Sequence, residues 1–349
     1  MSRRITLKAI ANAAKVSVAT ASRALNKTGS VSPAVERRVK AAALKLEARS
    51  AGQRRTTQML CFLLANRPML HPFHAQVLMG AQAMAAEHGA HILFHPCQYS
   101  ADVAVTDIRL PVLLEPRGMI DGYIVGGMNT PNLLALLRET EVPFAVLGNN
   151  VLGEWKPEQC DVIWMDDAGG GHELTRHLLG LGHRRIAFLG SRRFASIRMQ
   201  QGCCRAMAEA GLEPVLLESD SLDERESGFL AAKRLFSQGG GVTAILCYSD
   251  PAAHGVLEAA NGCGLRVPDD LSIAGFGDRP EASAMHPALT TVWGYPDQVG
   301  RRLAEMVLQR IAHPTAPPRS AVLPTRLIRR ESCGRAPVAA AAHSSAGTP

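Results

Sequence analysis

From Met59 onward the chain alternates short, continuously apolar runs with stretches of helix length, and this restricts the fold more than anything else in its 349 residues. The runs are MLCFLL (59–64), HILFH (91–95), GYIVGG (122–127), FAVLGN (144–149), DVIWMD (161–166), RIAFLG (185–190), PVLLES (214–219), TAILCYS (243–249) and LSIAGFG (271–277). A strand that is apolar on both sides has to be covered on both sides, and the helices between successive strands supply the crossovers that parallel pairing requires. Nine such strands fit two sheets of four to six better than one. Ligands of parallel sheets sit beyond the carboxyl ends of the strands, so a cleft between two lobes is the expected binding place.

The first 58 residues follow a different rule. They carry thirteen Lys and Arg against two acids, Glu36 and Glu47, whereas the remaining 291 residues sum to −4. Positive charge gathered in one segment points to a polyanionic partner for that segment alone, and the phosphates of nucleic acid are the first candidate. Within it, TLKAIANAAKVSVATASRALN (6–26) reads as two short helices about a tight turn. Helix 1 runs from Leu7 to Ala14 after a Thr6 cap, with Leu7, Ile10, Ala11 and Ala14 on one face. Lys15 and Val16 form the turn. Ser17 caps helix 2, Val18 to Leu25, where Ala21 and Leu25 face inward and Val18, Ala19, Thr20, Ser22 and Arg23 stay available. A third helix starts at Ser32-Pro33 and continues through Val35, Val39, Ala42 and Leu46. The layout is that of a helix-turn-helix; a generic basic three-helix bundle is the blander alternative.

Several other functions find little support. The eight cysteines form no CxxC pair and no Cys/His ladder of zinc spacing, so no metal or cofactor is expected and the thiols read as buried hydrophobes in a reducing compartment. HELTRH (172–177) resembles a zinc-protease helix, but His172 and His177 are five apart and point about 140° away from each other. Gly169-Gly170-Gly171 lacks the Gly-Lys-Ser/Thr of a phosphate loop and reads instead as the opening of a helix. There is no GxSxG elbow. Vicinal Cys203 and Cys204 read as one core-facing and one surface thiol. No apolar run approaches the roughly 20 residues of a membrane helix, and none follows the basic N-terminus as a signal peptide would; a soluble, cytoplasmic protein is expected.

The motifs together resemble the lactose and galactose repressor family of bacterial transcription factors over residues 5–333. They are ITLKAIANAAKVSVATASRALN, HPFHAQVLMGAQ, LTRHLLGLGHRRIAFLG, GLRVPDDLSIAGFGD, PALTTV and LPTRLIRRESC, in the family's order. The resemblance implies a DNA-binding transcriptional regulator, a repressor, acting as a homodimer on a palindromic operator. Val18 and Ala19 would then meet base edges by apolar contact, and Arg23 would pair with a guanine. Thr6, Ser17, Thr20, Ser22 and Asn26 would hold phosphates and fix the register. Two departures stand out. Lys15 occupies a turn position where relatives carry glycine or asparagine. The linker ALKLEARSAGQRRTTQM is shorter than usual, with Ala51 in place of a leucine that wedges into the minor groove; Arg49, Arg54 and Arg55 are its candidate DNA contacts.

The resemblance also implies a fold: an all-α helix-turn-helix head (1–47), a shortened hinge (48–58) and an α/β body of two parallel-sheet lobes (59–333), like a periplasmic binding protein. The first lobe would take about 59–160 and 292–320, and the second about 161–291 with the terminal strand 321–332. The tail, 334–349, is low in complexity and expected to be disordered. A small, sugar-like effector would bind between the lobes, with His71, Phe73, Asn149, Arg198, Ser249, Asp250 and Asp278 as candidate contacts. Asp250 has a second reading as the cap of the following helix. Relatives often have Asn-Asp at Ser249-Asp250 and Gly-Phe-Asp-Asp at Gly275-Phe276-Gly277-Asp278, and Arg198 is displaced by one residue. A regulator that has lost small-molecule control is therefore the alternative function. A transport solute-binding protein and an α/β enzyme are weaker readings, since the one would need a signal peptide and the other a catalytic constellation.

Overall fold

The computed structural model describes residues 7–26, 31–32, 35, 38–39, 42, 57–67, 71–100, 102–108, 119–191, 194–218, 223–239 and 241–337. The chain divides into two compact units, Met1–Thr57 and Gln58–Pro349.

In the first unit, α1 is Leu7–Ala14 and α2 is Val18–Asn26. Ile10, Ala11, Ala14, Ala21 and Ala24 close a small core with Val39 and Ala42, which are themselves helical. Small side chains let the helices approach closely, and the core therefore has little apolar area to hold it. Leu7 shares the direction of the buried stripe but is 40 % exposed, because it lies in the first turn and overhangs the end of this core. Leu25 is only partly covered, and Ala24 takes the inward place beside Ala21. The turn is a Schellman motif: the Val16 amide donates to Ala11 O at 3.0 Å and the Lys15 amide to Asn12 O at 3.1 Å. It places Lys15 at φ 51°, in the left-handed region. Ser17 Oγ then accepts the Thr20 amide at 3.1 Å, the expected cap.

The second unit holds the nine strands read from the sequence. In chain order they are β1 (Met59–Ala65), β2 (His91–Cys97), β3 (Gly122–Gly127), β4 (Phe144–Leu147), β5 (Asp161–Met165), β6 (Ile186–Gly190), β7 (Val215–Glu218), β8 (Ala244–Cys247) and β9 (Ser272–Ala274). Three short strands join them: β10 (Thr291–Trp293), β11 (Ser320–Leu323) and β12 (Arg326–Ile328). One parallel sheet has the order β11-β5-β4-β3-β1-β2 and the other β7-β6-β8-β9, while β10 and β12 pair antiparallel. The helices are α3 (Pro72–Glu87), α4 (Pro131–Glu139), α5 (Asp167–Gly180), α6 (Phe194–Glu209), α7 (Glu224–Ser237), α8 (Asp250–Gly262), α9 (Pro280–Ala284) and α10 (Pro296–Ala312).

Each sheet is covered on both faces. Val77, Ala81, Val299 and Leu303 of α3 and α10 cover one side of the first sheet, and Leu133, Leu134 and Leu137 of α4 cover the other. Leu174, Leu178, Met199 and Cys203 of α5 and α6 cover one side of the second sheet, and Ala231, Leu235, Ala253 and Val256 of α7 and α8 the other. Three helix pairs cross at reciprocal glycines: Gly80 with Gly300, Gly171 with Gly202, and Gly228 with Gly255. A Cβ on any of the six would overlap a backbone carbonyl of the facing helix.

The expected lobe boundaries move. β5 is hydrogen-bonded to β4 (Val146 beside Val162), and β11 to β5 (Val322 beside Trp164), so residues 161–165 and 320–323 belong to the first lobe. Val292 is buried in the second lobe's core, and β10 leaves that lobe only after Trp293. The chain therefore crosses between lobes around Asp166, Gly294–Tyr295 and Pro324–Thr325. A crossing after a strand keeps that strand's backbone bonds intact, whereas one before it would strand an apolar edge. The beginning of the tail also differs from expectation. Gly334 O lies 3.1 Å from His183 Nε2, and the Ala336 amide donates to Leu181 O at 2.9 Å, so residues 334–337 pack on the second lobe. Residues 338–349 lie outside the described part, as do hinge residues 48–56.

Candidate functional site

Two sites can be built from the residues upward. The first is the outer face of α2. Burial of Ala21 and Ala24 fixes the helix's rotation and leaves Val18 46 % exposed, with Ala19 and Arg23 also exposed and Thr20 and Ser22 half-buried. The Ser17 and Thr20 hydroxyls lie 2.8 Å apart, and Arg23 Nε donates to Ala19 O at 3.3 Å. The head thus presents a small apolar surface edged by hydroxyls with one long cation folded along it. Thr6, Arg49, Arg54 and Arg55 lie outside the described residues, and of Asn26 only the backbone is described.

The second site is a cavity of about 150 Å³ between the lobes, at the carboxyl ends of the strands. His71 and Phe73 follow β1, Asn149 follows β4, and Ser249 follows β8; all four line it. Asn149 is already committed, however. Its Oδ1 accepts the Met165 amide at 2.7 Å, and its Nδ2 donates to Met165 O at 2.9 Å and to Asp167 Oδ2 at 2.5 Å. Ser249 Oγ caps α8 through the Ala252 amide.

Three expected contacts are not among the lining residues. Arg198 lies with its guanidinium carbon 5.3 Å from the centre of the Trp164 ring, a cation–π contact from α6 to β5 across the lobes. Asp278 is held 2.7 Å from Arg330 of the terminal segment. Asp250 accepts the Arg279 amide at 2.7 Å and the Thr291 hydroxyl at 2.5 Å, which fixes the loop after β9. Asp250 thus holds a loop in place, but contrary to its second reading it is not the helix cap; Ser249 is. Burial pushes the Asp250 carboxyl up to about 6.

The sequence reading missed other lining residues. Asp167 at the start of α5 is fully buried, and its Oδ1 has no hydrogen-bond partner among the described residues. Desolvation pushes its carboxyl up to about 7, against the Asn149 amide and Arg198, which favour the charged form. His74 on α3 is buried; its Nε2 faces Asn150 Nδ2 at 3.2 Å and its Nδ1 has no hydrogen-bond partner among the described residues. Desolvation, with His71 and Arg67 nearby, pushes it down to about 3, so the ring is neutral. Glu224 and Arg279 pair at 2.9 Å at another part of the wall. Phe73, Tyr248, Phe276 and Trp293 supply aromatic faces. Such a cavity can bury a small ring and orient it with few polar groups.

Comparison with known proteins matches both parts of the chain. Residues 6–47 match the family described as bacterial regulatory proteins, lacI family, and residues 175–333 match the periplasmic binding protein-like domain. The regulator CelR of Thermobifida fusca is 30 % identical over 342 residues, 95 % of this chain and 98 % of its own length. The chain belongs to the LacI family. The repressor PurR of Escherichia coli O139:H28 is 28 % identical over 344 residues, with 95 % and 98 % covered. A solved CelR–cellobiose complex superimposes with a TM-score of 0.68 at 28 % identity, covering 94 % of this chain and all of that one. This LacI-family chain is a DNA-binding transcriptional regulator with a two-lobed body. Among its described residues no helix is long and apolar enough to cross a membrane, and no three potential metal ligands cluster.

Proposed function

We propose that this LacI-family chain is a cytoplasmic repressor that binds an inverted-repeat operator as a homodimer, under control of a small saccharide-like effector held between its lobes. The observation that carries the DNA reading is the rotation of α2, which buries Ala21 and Ala24 and offers Val18, Ala19 and Arg23 to a groove. Val18 and Ala19 allow close approach and apolar contact with a thymine methyl, and Arg23 reads a guanine. Ser17, Thr20 and Ser22, with Thr6, Asn26 and the linker arginines 49, 54 and 55, bind phosphates.

The effector reading rests on the cavity between lobes joined by three crossing segments, so that a ligand touching both lobes favours one arrangement over the other. Likeness to CelR, which is solved with cellobiose, supports a saccharide-like ligand.

Selection of bound duplexes from a random pool tests the DNA reading. We expect an inverted repeat, and Arg23→Ala should relax one symmetric pair of positions at a cost of about 1–3 kcal/mol. A recovered motif that is unchanged in the variant would reject the assignment of the groove-facing side.

A further inference from the structure

One carboxylate of the cavity makes no ion pair among the described residues. Asp167 is fully buried; one oxygen is taken by Asn149 and the other has no partner among the described residues. Of the cations near it, Arg67 and Arg279 also line the cavity, and Arg198 favours its charged form through space, but none is paired with it. Asp166, its neighbour, is acidic and spends Oδ1 on the Gly169 amide at 2.8 Å. Arg198 faces it from α6 but lies along Trp164. Arg279 is paired with Glu224, and His74 is neutral. The first turn of α5 contributes only partial charge. A buried anion left this way is costly and is stabilised by whatever brings it a cation. The walls of the same cavity are the aromatic faces of Phe73, Tyr248 and Trp293, which also attract cations. On the same wall, His74 Nδ1 is another buried polar atom without a hydrogen-bond partner among the described residues. With Asn150 Nδ2 donating to Nε2, it carries the proton and seeks an acceptor.

We propose that the effector is a saccharide-sized ring bearing a protonated amine, with the ammonium against Oδ1 of Asp167 and a ring or hydroxyl oxygen accepting from His74. The inference rests on the effector reading above and narrows its ligand from neutral sugars to amino sugars. An acidic group is disfavoured at that position, since it would set a second anion beside Asp167.

The test uses the full-length protein at pH 7.5 and follows intrinsic tryptophan fluorescence, to which Trp293 of the cavity contributes, and thermal shift. The probes are glucose, cellobiose, glucosamine, the β-1,4 dimer of glucosamine, and glucuronate. We expect at least one amine to bind about tenfold or more tightly than its neutral counterpart, as a charge-assisted bond would give. Glucuronate should not bind. Asp167→Asn should remove the preference, bringing amine and neutral sugar to similar affinity; Asp167→Ser serves if that variant fails to fold. Binding of neutral or acidic sugars without the amines overturns this inference and leaves the effector reading standing. Amine binding that Asp167→Asn does not weaken overturns it as well. No binding by any probe at millimolar concentration overturns both.

Discussion

Lys15 sits where a side chain is a burden. Its φ of 51° closes the Schellman turn between α1 and α2, and a β-carbon in the left-handed region costs about 1 kcal/mol that glycine does not carry. Lys15→Gly should raise the stability of the head by about 0.5–1 kcal/mol, read as a shift in its thermal transition; an unchanged or lower midpoint would mean the lysine makes a compensating contact. Asp167 is a burden of another kind. Its folded carboxyl titrates at about 7, above the ordinary 3.8, so the native state binds the extra proton between those values. The group's contribution to stability is therefore full at low pH and declines as pH rises through 7. Asp250, raised to about 6, acts in the same direction. His74, lowered to about 3, acts oppositely, weakening the fold as pH falls below 6.5. Asp167→Asn should leave stability near wild type at pH 4 and exceed it at pH 8 by on the order of 2 kcal/mol in denaturant titrations. Parallel profiles would show that Asp167 does not titrate in this range.

At the scale of elements, the first lobe is tied together by one carboxylate. Asp161 on β5 is buried and accepts from Arg310 Nε at 3.0 Å and Nη2 at 2.9 Å, and from the Arg319 amide at 2.8 Å. It joins β5, α10 and the approach to β11, so Asp161→Ala leaves the largely buried Arg310 charge with only the carbonyls of Ala316 and Pro317 as acceptors. Urea unfolding should show a loss of about 3–5 kcal/mol in the body, and a loss under 1 would contradict this role. The nine main strands were legible because continuous apolar runs have no other stable use. β10, three residues long, was not, since nothing local distinguishes it from loop, and the one terminal strand expected over 321–332 is instead two, β11 and β12. Strand ends gave His71, Phe73, Asn149 and Ser249 as cavity residues, because topology alone puts them there. Arg198, Asp250 and Asp278 went elsewhere for reasons that lie far along the chain: Trp164, Thr291 and Arg330 claimed them. Asp167 was passed over for the converse reason, as only lobe packing makes its burial visible.

For the whole molecule, the charge split of the sequence and the cleft of the body describe two halves of one device. In the proposed reading the head binds phosphate by charge and bases through α2, and the body, entered at Gln58 beside Asp121, offers a ligand two lobes to bring together. The measurement that tests this most directly is the affinity of the full-length protein for its selected inverted repeat and for a scrambled duplex, by fluorescence anisotropy across a salt series. The account predicts a preference of about a thousandfold or more for the repeat at physiological salt, with affinity for both duplexes falling linearly in log–log form as salt rises. Equal affinity for the two sequences at every salt concentration would contradict it.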